Sequence, residues 1–421
     1  MLDAQVSPAE QAAERPKAAA ALWSNKQFLF ILGAYILSIF GNSFHNIALN
    51  LWVLTETGSA KMMTVILVCN LAIASLFGSI AGTFADRVNR RRIMMYSDLL
   101  RCVVVFIIAL CISLPETPFF VIVLLTGFTT FLGLFESPAM NASLINIVGK
   151  EHIQRATGLM NIGDNISRTV GFAVGGIFVA AFGGSWAIAF DGFTFLLSFI
   201  LVLLAGSFPS PKTAKTAAAK SFKQDLIKGL RFIWTDAFAK SVIILSPTLM
   251  LFFTSALMLT QVMAVNVWRA DPFQFGLIEA CIPLGYMLGA GMIVAFGTKF
   301  QKRGKLIMLN LLLMGPAYMI LSSSASAASA IPVILIVGVM FSFCTLLINI
   351  ILRLEVSEEL QGRVFGILGS FTSVVPSLGL IAASYFADIY GADSMMLVIG
   401  MMLLFFAILV LFGLKKLRKY N

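Results

Sequence analysis

The sequence predicts an all-α polytopic membrane protein, with twelve transmembrane helices in two pseudo-symmetric six-helix bundles. Of its 421 residues, 59% are hydrophobic and 12% are charged, and the mean hydropathy is +0.93. Soluble domains carry about 25% charged residues. The apolar residues gather into runs long enough to cross the hydrocarbon of a membrane, which takes about 20 residues as a helix.

The apolar runs define the order of the chain. The predicted spans are 28–52, 61–85, 93–113, 118–140, 157–182, 186–206, 241–266, 273–297, 305–323, 331–352, 363–387 and 394–413. The domains expected from them are an N-terminal tail at 1–23, a first bundle at 24–206, a linker at 207–240, a second bundle at 241–414 and a basic tail at 415–421.

The basic residues predict the orientation. Alternate connecting segments hold 26 of the 30 lysines and arginines, whereas the opposite side has only Lys61 and Arg269. Positive charge collects on the cytoplasmic side of membrane proteins, so both termini are expected in the cytoplasm. The net charge of +10 is thereby explained without a nucleic-acid partner.

The linker contains a second kind of helix. Between 221 and 234, Phe222, Leu226, Leu230 and Ile233 recur at helical spacing with basic residues between them. This pattern is typical of an amphipathic helix lying in the membrane interface. It serves as a tether between the bundles or as a regulatory site.

The segment 82–92 lies between two apolar runs, and its last seven residues carry five charges. A counterpart lies 212 residues later at 298–303, and the loops at 151–155 and 359–363 also correspond. Two matching sets of six helices predict a transporter in which one half moves against the other around a central cavity.

The motif G-x-x-x-D-R-x-x-R-R in this segment resembles the loop between helices 2 and 3 of the major facilitator superfamily, and the resemblance covers 24–414. Within this superfamily, the sequence resembles the drug:proton antiporter branch, which contains macrolide-efflux and enterobactin-export proteins. It rests on Pro138-Ala139 closing helix 4, on Arg155-Ala156-x-Gly158-Leu159 opening helix 5, and on the linker helix at 225–232.

The resemblance implies a cytoplasmic gate made of one loop and the end of helix 4. Its expected residues are Gly82, Asp86, Arg87, Arg90, Arg91 and Glu136. Asp86 would face the N-terminus of helix 11 near Gly362 and Gly366, where a helix dipole favours an anion. The arginines would meet Glu136 and lipid headgroups. The copy at 298–303 lacks the aspartate, so the latch is expected to be one-sided.

Ionisable residues inside spans are costly and therefore indicate function. The candidates for proton coupling are Asp98, Arg101, Asp164, Arg168 and Glu279. Spacings of three and four predict intrahelical ion pairs, Asp98 with Arg101 and Asp164 with Arg168. Either the pairs simply neutralise each other, or a proton or substrate competes for one partner; the second pair is favoured, because Arg168 lies near the midplane.

Two carboxyls in the outer third of their helices, Glu279 and Asp191, have no intrahelical partner. A carboxyl in a partly dry cavity suits proton uptake, and Asp191 could equally reach the outer interface.

Helix 1 carries a polar stripe. Asn42, Asn46 and Asn50 are spaced by four, with His45 beside them. Such a stripe faces protein or water rather than lipid, and it either packs by interhelical hydrogen bonds or lines a cavity. The substrate-cavity candidates are Asn42, His45 and Asn46.

Helices 4, 7, 9, 10 and 12 are rich in Phe, Met and Leu. These apolar surfaces face lipid or line a site for a bulky amphiphile.

Helix 5 carries Gly171, Gly175 and Gly176, which favour close helix packing. The run 171–176 resembles the antiporter signature G-P-x-x-G-G, with Phe172 in the position of the proline. The small-residue face is therefore expected without the proline kink.

The sequence presents no catalytic residues, no nucleotide-binding loop and no metal-ligand spacing, so no enzyme and no cofactor is expected. The predicted function is proton-coupled efflux of an amphiphilic drug-like or siderophore-like compound across a bacterial plasma membrane. Its partners would be that small molecule, protons and membrane lipids, with the protein a monomer. The alternatives are uptake or flipping of a specific metabolite or lysolipid, and a sensor or scaffold that does not transport.

Overall fold

The computed structural model describes residues 22–115, 117–207, 231, 233–296, 302–418 and 420. Outside this description lie the surroundings of Gly362 and the side chains of Ser79, Asp86, Arg87, Ala237, Glu358, Glu359, Arg363 and Lys415. Most of the predicted linker helix at 221–234, and residues 1–21 of the predicted tail at 1–23, also fall outside the described residues.

Within the described residues, twelve helices are long and apolar enough to span a membrane, and the predicted all-α fold of twelve spans is confirmed. They are α1 Lys26–Thr57, α2 Ala60–Arg87, α3 Arg90–Ser113, α4 Phe119–Val148, α5 Ile153–Phe182, α6 Gly184–Leu204, α7 Ala237–Asn266, α8 Pro272–Phe296, α9 Arg303–Ser322, α10 Ala327–Glu355, α11 Glu358–Tyr390 and α12 Ala392–Gly413. A four-residue helix, α13 Lys415–Arg418, follows.

The prediction that Pro138 closes helix 4 is wrong. Pro138 lies inside α4, which continues to Val148. A proline removes one backbone hydrogen bond, but a spanning helix tolerates this because its neighbours hold it in place. Glu136 is consequently an interior residue of α4 rather than one at its end.

The two halves, α1–α6 and α7–α12, repeat the same helix pairings. In the first half α1 packs on α5 and α6, α2 on α4, and α3 on α4 and α6; in the second half the corresponding pairs are α7 with α11 and α12, α8 with α10, and α9 with α10 and α12. Between the halves the main contacts are α2 with α11 and α5 with α8. These two pairs exchange under the repeat, so the interface is itself pseudo-symmetric.

We call the end of the molecule with the α1–α2, α7–α8 and α11–α12 turns the outer end, and the opposite end the inner end. At the outer end α5 and α8 approach at backbone distance. A side-chain carbon on Gly176 would lie 2.6 Å from the carbonyl oxygen of Pro272, and one on Gly276 would lie 2.5 Å from that of Phe172. Only glycine permits this contact.

The other two glycines of the helix 5 stripe face the first helix. A side-chain carbon on Gly171 would lie 2.8 Å from Ser43, and one on Gly175 would lie 3.3 Å from the backbone of Phe44. The stripe therefore brings α5 against α1 along one face and against α8 along the next. Phe172 stays helical within α5 and is 9% exposed.

Candidate functional site

A cluster of polar and charged side chains lies inside the first half, near the middle of its helices. We call it the N-half polar cluster, and its members are Asn42 and His45 on α1, Asp98 and Arg101 on α3, Glu136 on α4, and Asp191 and Ser198 on α6. Helices α1, α3, α4 and α6 pack against one another, which brings residues more than 150 positions apart into one site.

Arg101 is the centre of this cluster. Its Nη1 donates to Glu136 Oε2 at 2.7 Å, and its Nη2 lies 3.5 Å from Asn42 Oδ1. The guanidinium carbon lies 4.0 Å from the ring centre of Phe195, a cation–π distance. Only 12% of the Arg101 side chain is exposed. The ion pair is therefore held in place by α1, α4 and α6 together.

The predicted pairing of Asp98 with Arg101 is wrong, because Arg101 turns toward α4. Asp98 is fully buried and its Oδ2 accepts a hydrogen bond from Ser198 Oγ at 2.7 Å. Its Oδ1 has no hydrogen-bond partner among the described residues. A spacing of three permits an intrahelical pair, but the carboxylate of Glu136 offers Arg101 a shorter contact from the facing helix.

Asp191 does not reach the outer interface. Its Oδ2 lies 3.1 Å from His45 Nδ1, and the two side chains are 1% and 8% exposed. Neither atom forms a hydrogen bond among the described residues, so this is a close approach of an imidazole nitrogen to a carboxylate oxygen, and Asp191 Oδ1 accepts from Thr194. The sequence presented both residues, but it contained no signal that they meet.

A cavity of about 230 Å³ adjoins the cluster. Its walls combine the asparagine stripe of α1 with polar groups of α2, α3, α4 and α6. Lining residues include Asn42, His45, Asn46, Asn70, Arg101 and Asp191. All three substrate-cavity candidates thus line one polar cavity, with Asn46 exposed and His45 buried.

The Asp164–Arg168 pair lies apart from this cluster. Arg168 Nε donates to Asp164 Oδ2 at 3.0 Å, and Asp164 Oδ1 accepts from the Tyr35 hydroxyl of α1 at 3.1 Å. The side chains of Arg168 and Asp164 are 42% and 21% exposed. This pair is open to its surroundings, whereas the N-half polar cluster is closed off.

In the second half, Glu279 is the one carboxyl inside the predicted spans. It is 6% exposed and its Oε1 accepts a hydrogen bond from Gln261 Nε2 of α7 at 2.8 Å. Its partner is therefore a neutral amide rather than a cation.

Two arginines of the predicted gate contact backbone carbonyl oxygens, and Glu136 is paired with Arg101. The side chain of Arg87 lies outside the described residues, so the expected contact of the gate arginines with Glu136 stays a prediction. Arg91 donates to the carbonyl oxygens of Val202 and Leu203 at the end of α6, and Arg90 donates to that of Ala142 on α4. Arginine at a helix C-terminus is favoured because the last carbonyls lack partners there.

The expected contact of Asp86 with helix 11 lies outside the described residues, as do the side chain of Arg87 and the surroundings of Gly362. Gly82 and Gly366, the other residues of that inner contact, each have open space where a side chain would begin.

Among the described residues, the polar contacts between the halves lie at the outer end. Asp388 near the end of α11 caps the N-terminus of α2, accepting from Ser59 Oγ at 2.7 Å and from the Ala60 backbone N–H at 2.8 Å. Lys61 Nζ lies 4.0 Å away. Asn266 of α7 donates to the Gly58 carbonyl at 3.0 Å. The sequence analysis missed Asp388, although Ser59 carries the usual signal of a helix start.

Comparison with known proteins decides the family. The model of the Major Facilitator Superfamily matches residues 31–379. The chain belongs to this superfamily. It is therefore a transporter of small molecules across a membrane rather than an enzyme, and the resemblance drawn from the loop at 82–92 is confirmed.

Among curated relatives, this transporter is 21% identical to macrolide efflux protein A of Streptococcus pyogenes over 388 residues, covering 92% of this chain and 95% of the relative. It is 24% identical to the multidrug efflux pump Tap of Mycolicibacterium fortuitum over 398 residues, covering 91% and 95%. Its fold matches the inward-facing crystal structure of a bacterial homologue of the human lysosomal transporter Spinster, with a TM-score of 0.71, 14% identity and coverage of 94% and 98%.

Proposed function

We propose that this transporter exports an amphiphilic compound from a bacterial cell in exchange for protons, by alternating access. The N-half polar cluster is the observation that carries the proposal. It sets three carboxyls, Asp98, Glu136 and Asp191, against one arginine and one histidine inside a membrane-spanning bundle. The relatives named for macrolide and multidrug efflux favour export as the direction.

Protons fit this cluster because its carboxyls outnumber its permanent cation. An ionised carboxylate buried without a cation is costly, and taking up a proton removes that cost. Asp98, fully buried with an unpartnered oxygen, suits a proton carrier in this conformation. His45 and Asp191 offer a second place for a proton, because the imidazole nitrogen and the carboxylate oxygen lie 3.1 Å apart and could share one.

Arg101 would couple the proton to the substrate. It can pair with Glu136, as here, or with Asp98 three residues earlier on α3. Protonation of either carboxyl would favour the other as the partner. A shift of Arg101 would change the wall of the adjoining cavity, because Arg101 lines it.

The substrate would be amphiphilic because the two halves differ. Drug-sized ligands occupy pockets of about 300–1,000 Å³. The cavity of about 230 Å³ beside the cluster would accept the polar part of such a molecule. The remainder would lie between the halves against the second half, whose small cavity is lined mainly by apolar residues.

The contact of Asp388 with α2 corresponds in this proposal to a state closed at the outer end. Both termini are taken to be cytoplasmic, on the charge distribution, and the inner end would then be open to the cell interior. The predicted latch of Asp86 with the N-terminus of α11 would form in the opposite state.

Asp86→Asn should then impair cycling while leaving substrate binding intact, and full transport by this variant would refute the latch.

The proposal is tested with the purified protein in proteoliposomes, using ethidium as the probe. An imposed pH gradient should drive ethidium movement, and a protonophore should abolish it. Ethidium entry into the lumen should alkalinise the lumen, because protons leave in exchange. Flux that ignores the pH gradient would overturn proton coupling. Ethidium binding without flux would instead favour a membrane sensor or scaffold that does not transport.

A further inference from the structure

The C-terminal residues are packed rather than trailing. Leu417 of α13 is fully buried against the second half. The Gly304 backbone N–H donates to the carbonyl oxygen of Tyr420 at 3.1 Å, and the Tyr420 hydroxyl donates to Glu355 Oε1 at 2.8 Å. The Tyr420 ring also contacts Phe238 edge to face, with centroids 5.4 Å apart. The segment after α12 is thus attached to α7, α9 and α10.

Two details keep this attachment in place. Gly304 lies so close to the backbone carbonyl of Leu417 that a side chain at 304 would collide with it. Burial, together with the hydrogen bond and negative charge of Glu355, raises the pKa of the Tyr420 phenol. The phenol therefore remains a hydrogen-bond donor at neutral pH.

The packed segment completes a groove of about 530 Å³ at the inner ends of α9 and α12. Its polar rim is formed by Lys305 on α9 and Arg418 on α13, and its apolar wall by Met308, Leu309, Leu312 and Leu411. Arg418 Nη1 reaches the Leu411 carbonyl at 3.4 Å, which directs the guanidinium over the end of α12. Among the described carboxylates, none forms an ion pair with Lys305 or Arg418.

We propose that this groove binds one anionic glycerophospholipid. The phosphate would lie between Lys305 and Arg418, and an acyl chain would follow the apolar wall along α9. Basic pockets between spanning helices at the headgroup level attract anionic lipid headgroups. Lys305 lies in the first turn of α9, and Arg418 lies just beyond the end of α12. Both cations are therefore at headgroup level.

The shape of the groove favours a lipid over a free phosphate ion. A free ion would use only the two cations, whereas four apolar side chains continue the groove toward the membrane interior. Leu309 is 51% exposed, which is unfavourable in water and favourable under an acyl chain. A zwitterionic lipid would bring a positive group to a rim that already has two cations.

The test measures lipid binding to the delipidated full-length protein in detergent by native mass spectrometry. The probes are phosphatidylglycerol, phosphatidylcholine and inorganic phosphate. We expect phosphatidylglycerol to bind, phosphatidylcholine to bind more weakly, and excess inorganic phosphate to leave bound phosphatidylglycerol in place. Displacement by phosphate alone would identify a free-anion site and overturn the proposal.

The variants are Lys305→Gln and Arg418→Gln, singly and together, with Lys416→Gln as the matched control. Lys416 is an exposed neighbour on α13 that does not line the groove. Each groove variant should weaken phosphatidylglycerol binding about fivefold and the pair about 25-fold, while Lys416→Gln changes nothing. Lys305→Gln is decisive if Arg418→Gln disturbs α13, because Lys305 takes no part in the attachment. Equal affinity of Lys305→Gln and the unaltered protein would overturn the proposal.

Discussion

The two halves share one architecture and differ in what they bury. The predicted spans of the first half contain Asp98, Glu136, Asp164 and Asp191 with two arginines, whereas those of the second half contain Glu279 as their one carboxyl. A cavity of about 230 Å³ inside the first half is polar, and a cavity of about 20 Å³ inside the second is mainly apolar. Pseudo-symmetry of the fold therefore does not extend to chemistry.

This difference suggests a division of labour. A rocking transporter needs two halves of matching shape, so the helix pairings are repeated. It needs only one place where charge is exchanged, and each buried ionisable group adds a cost in the membrane. Concentrating these groups in one half leaves the other free to provide apolar surface.

The largest effect is expected from Arg101→Ala. It leaves Glu136 buried without its cation, and breaking a buried pair in this way costs about 3–5 kcal/mol. The ratio of folded to unfolded protein should fall by about 100-fold or more, the factor that about 3 kcal/mol represents. The protein that does fold should also lose transport, because Arg101 lines the cavity. Ethidium flux in proteoliposomes, normalised to protein content, measures it.

Arg168→Ala is the matched control for Arg101→Ala. It removes the same charge from the same half, but from a partly exposed pair worth less than about 1 kcal/mol. The double variant Arg101→Ala/Glu136→Gln should recover abundance without recovering transport. If Arg168→Ala were the more damaging change, the coupling site would lie at the α1–α5 contact instead.

Neutralising one carboxyl in each half tests whether proton coupling is confined to the first half. Asp191→Asn should remove one coupled proton, so that a gradient of about one pH unit sustains about tenfold less substrate accumulation. Glu279→Gln should leave accumulation unchanged within about twofold, because glutamine keeps the size and one acceptor of the side chain. Steady-state accumulation against an imposed pH gradient measures both. The reverse ranking would assign coupling to the second half.

A smaller effect is expected where the halves meet. Asp388→Ala removes the acceptor that caps α2, and a cap is worth about 1 kcal/mol. The balance between states should shift about fivefold toward opening of the outer end. Spin labels on Glu56→Cys and Tyr390→Cys report this as a longer distance between them. Asp393→Ala, in the first turn of α12, should leave the distance distribution as it is.

The last comparison concerns stability rather than transport, and it involves one hydroxyl in each half. Ser198→Ala removes the hydrogen bond to Asp98 Oδ2, which should cost about 1–3 kcal/mol. The hydroxyl of Tyr318 is buried without a hydrogen-bond partner among the described residues, so Tyr318→Phe should be neutral or slightly stabilising. Thermal unfolding in detergent measures both. Equal midpoints would show that Asp98 does not depend on Ser198.

Composition and periodicity by themselves determined the class of this protein. Runs of about 20 apolar residues have one stable solution in a membrane, because backbone groups in hydrocarbon must bond within their own helix. The number of spans, the repeat and the loop motif at 82–92 followed from local sequence and sufficed for the superfamily. The candidate ionisable residues could also be identified from the sequence, because a charged residue inside a membrane-spanning segment is costly and rare.

Only the tertiary structure decided which of these residues meet. Arg101 has Asp98 within reach on its own helix, and its choice of Glu136 depends on how α3 packs against α4. The meeting of His45 with Asp191 joins positions 146 residues apart, and that of Asp388 with Ser59 joins positions 329 apart. Spacing along one helix predicts neighbours on that helix alone. Contacts between helices depend on rotation and depth in the bundle, which side-chain packing sets.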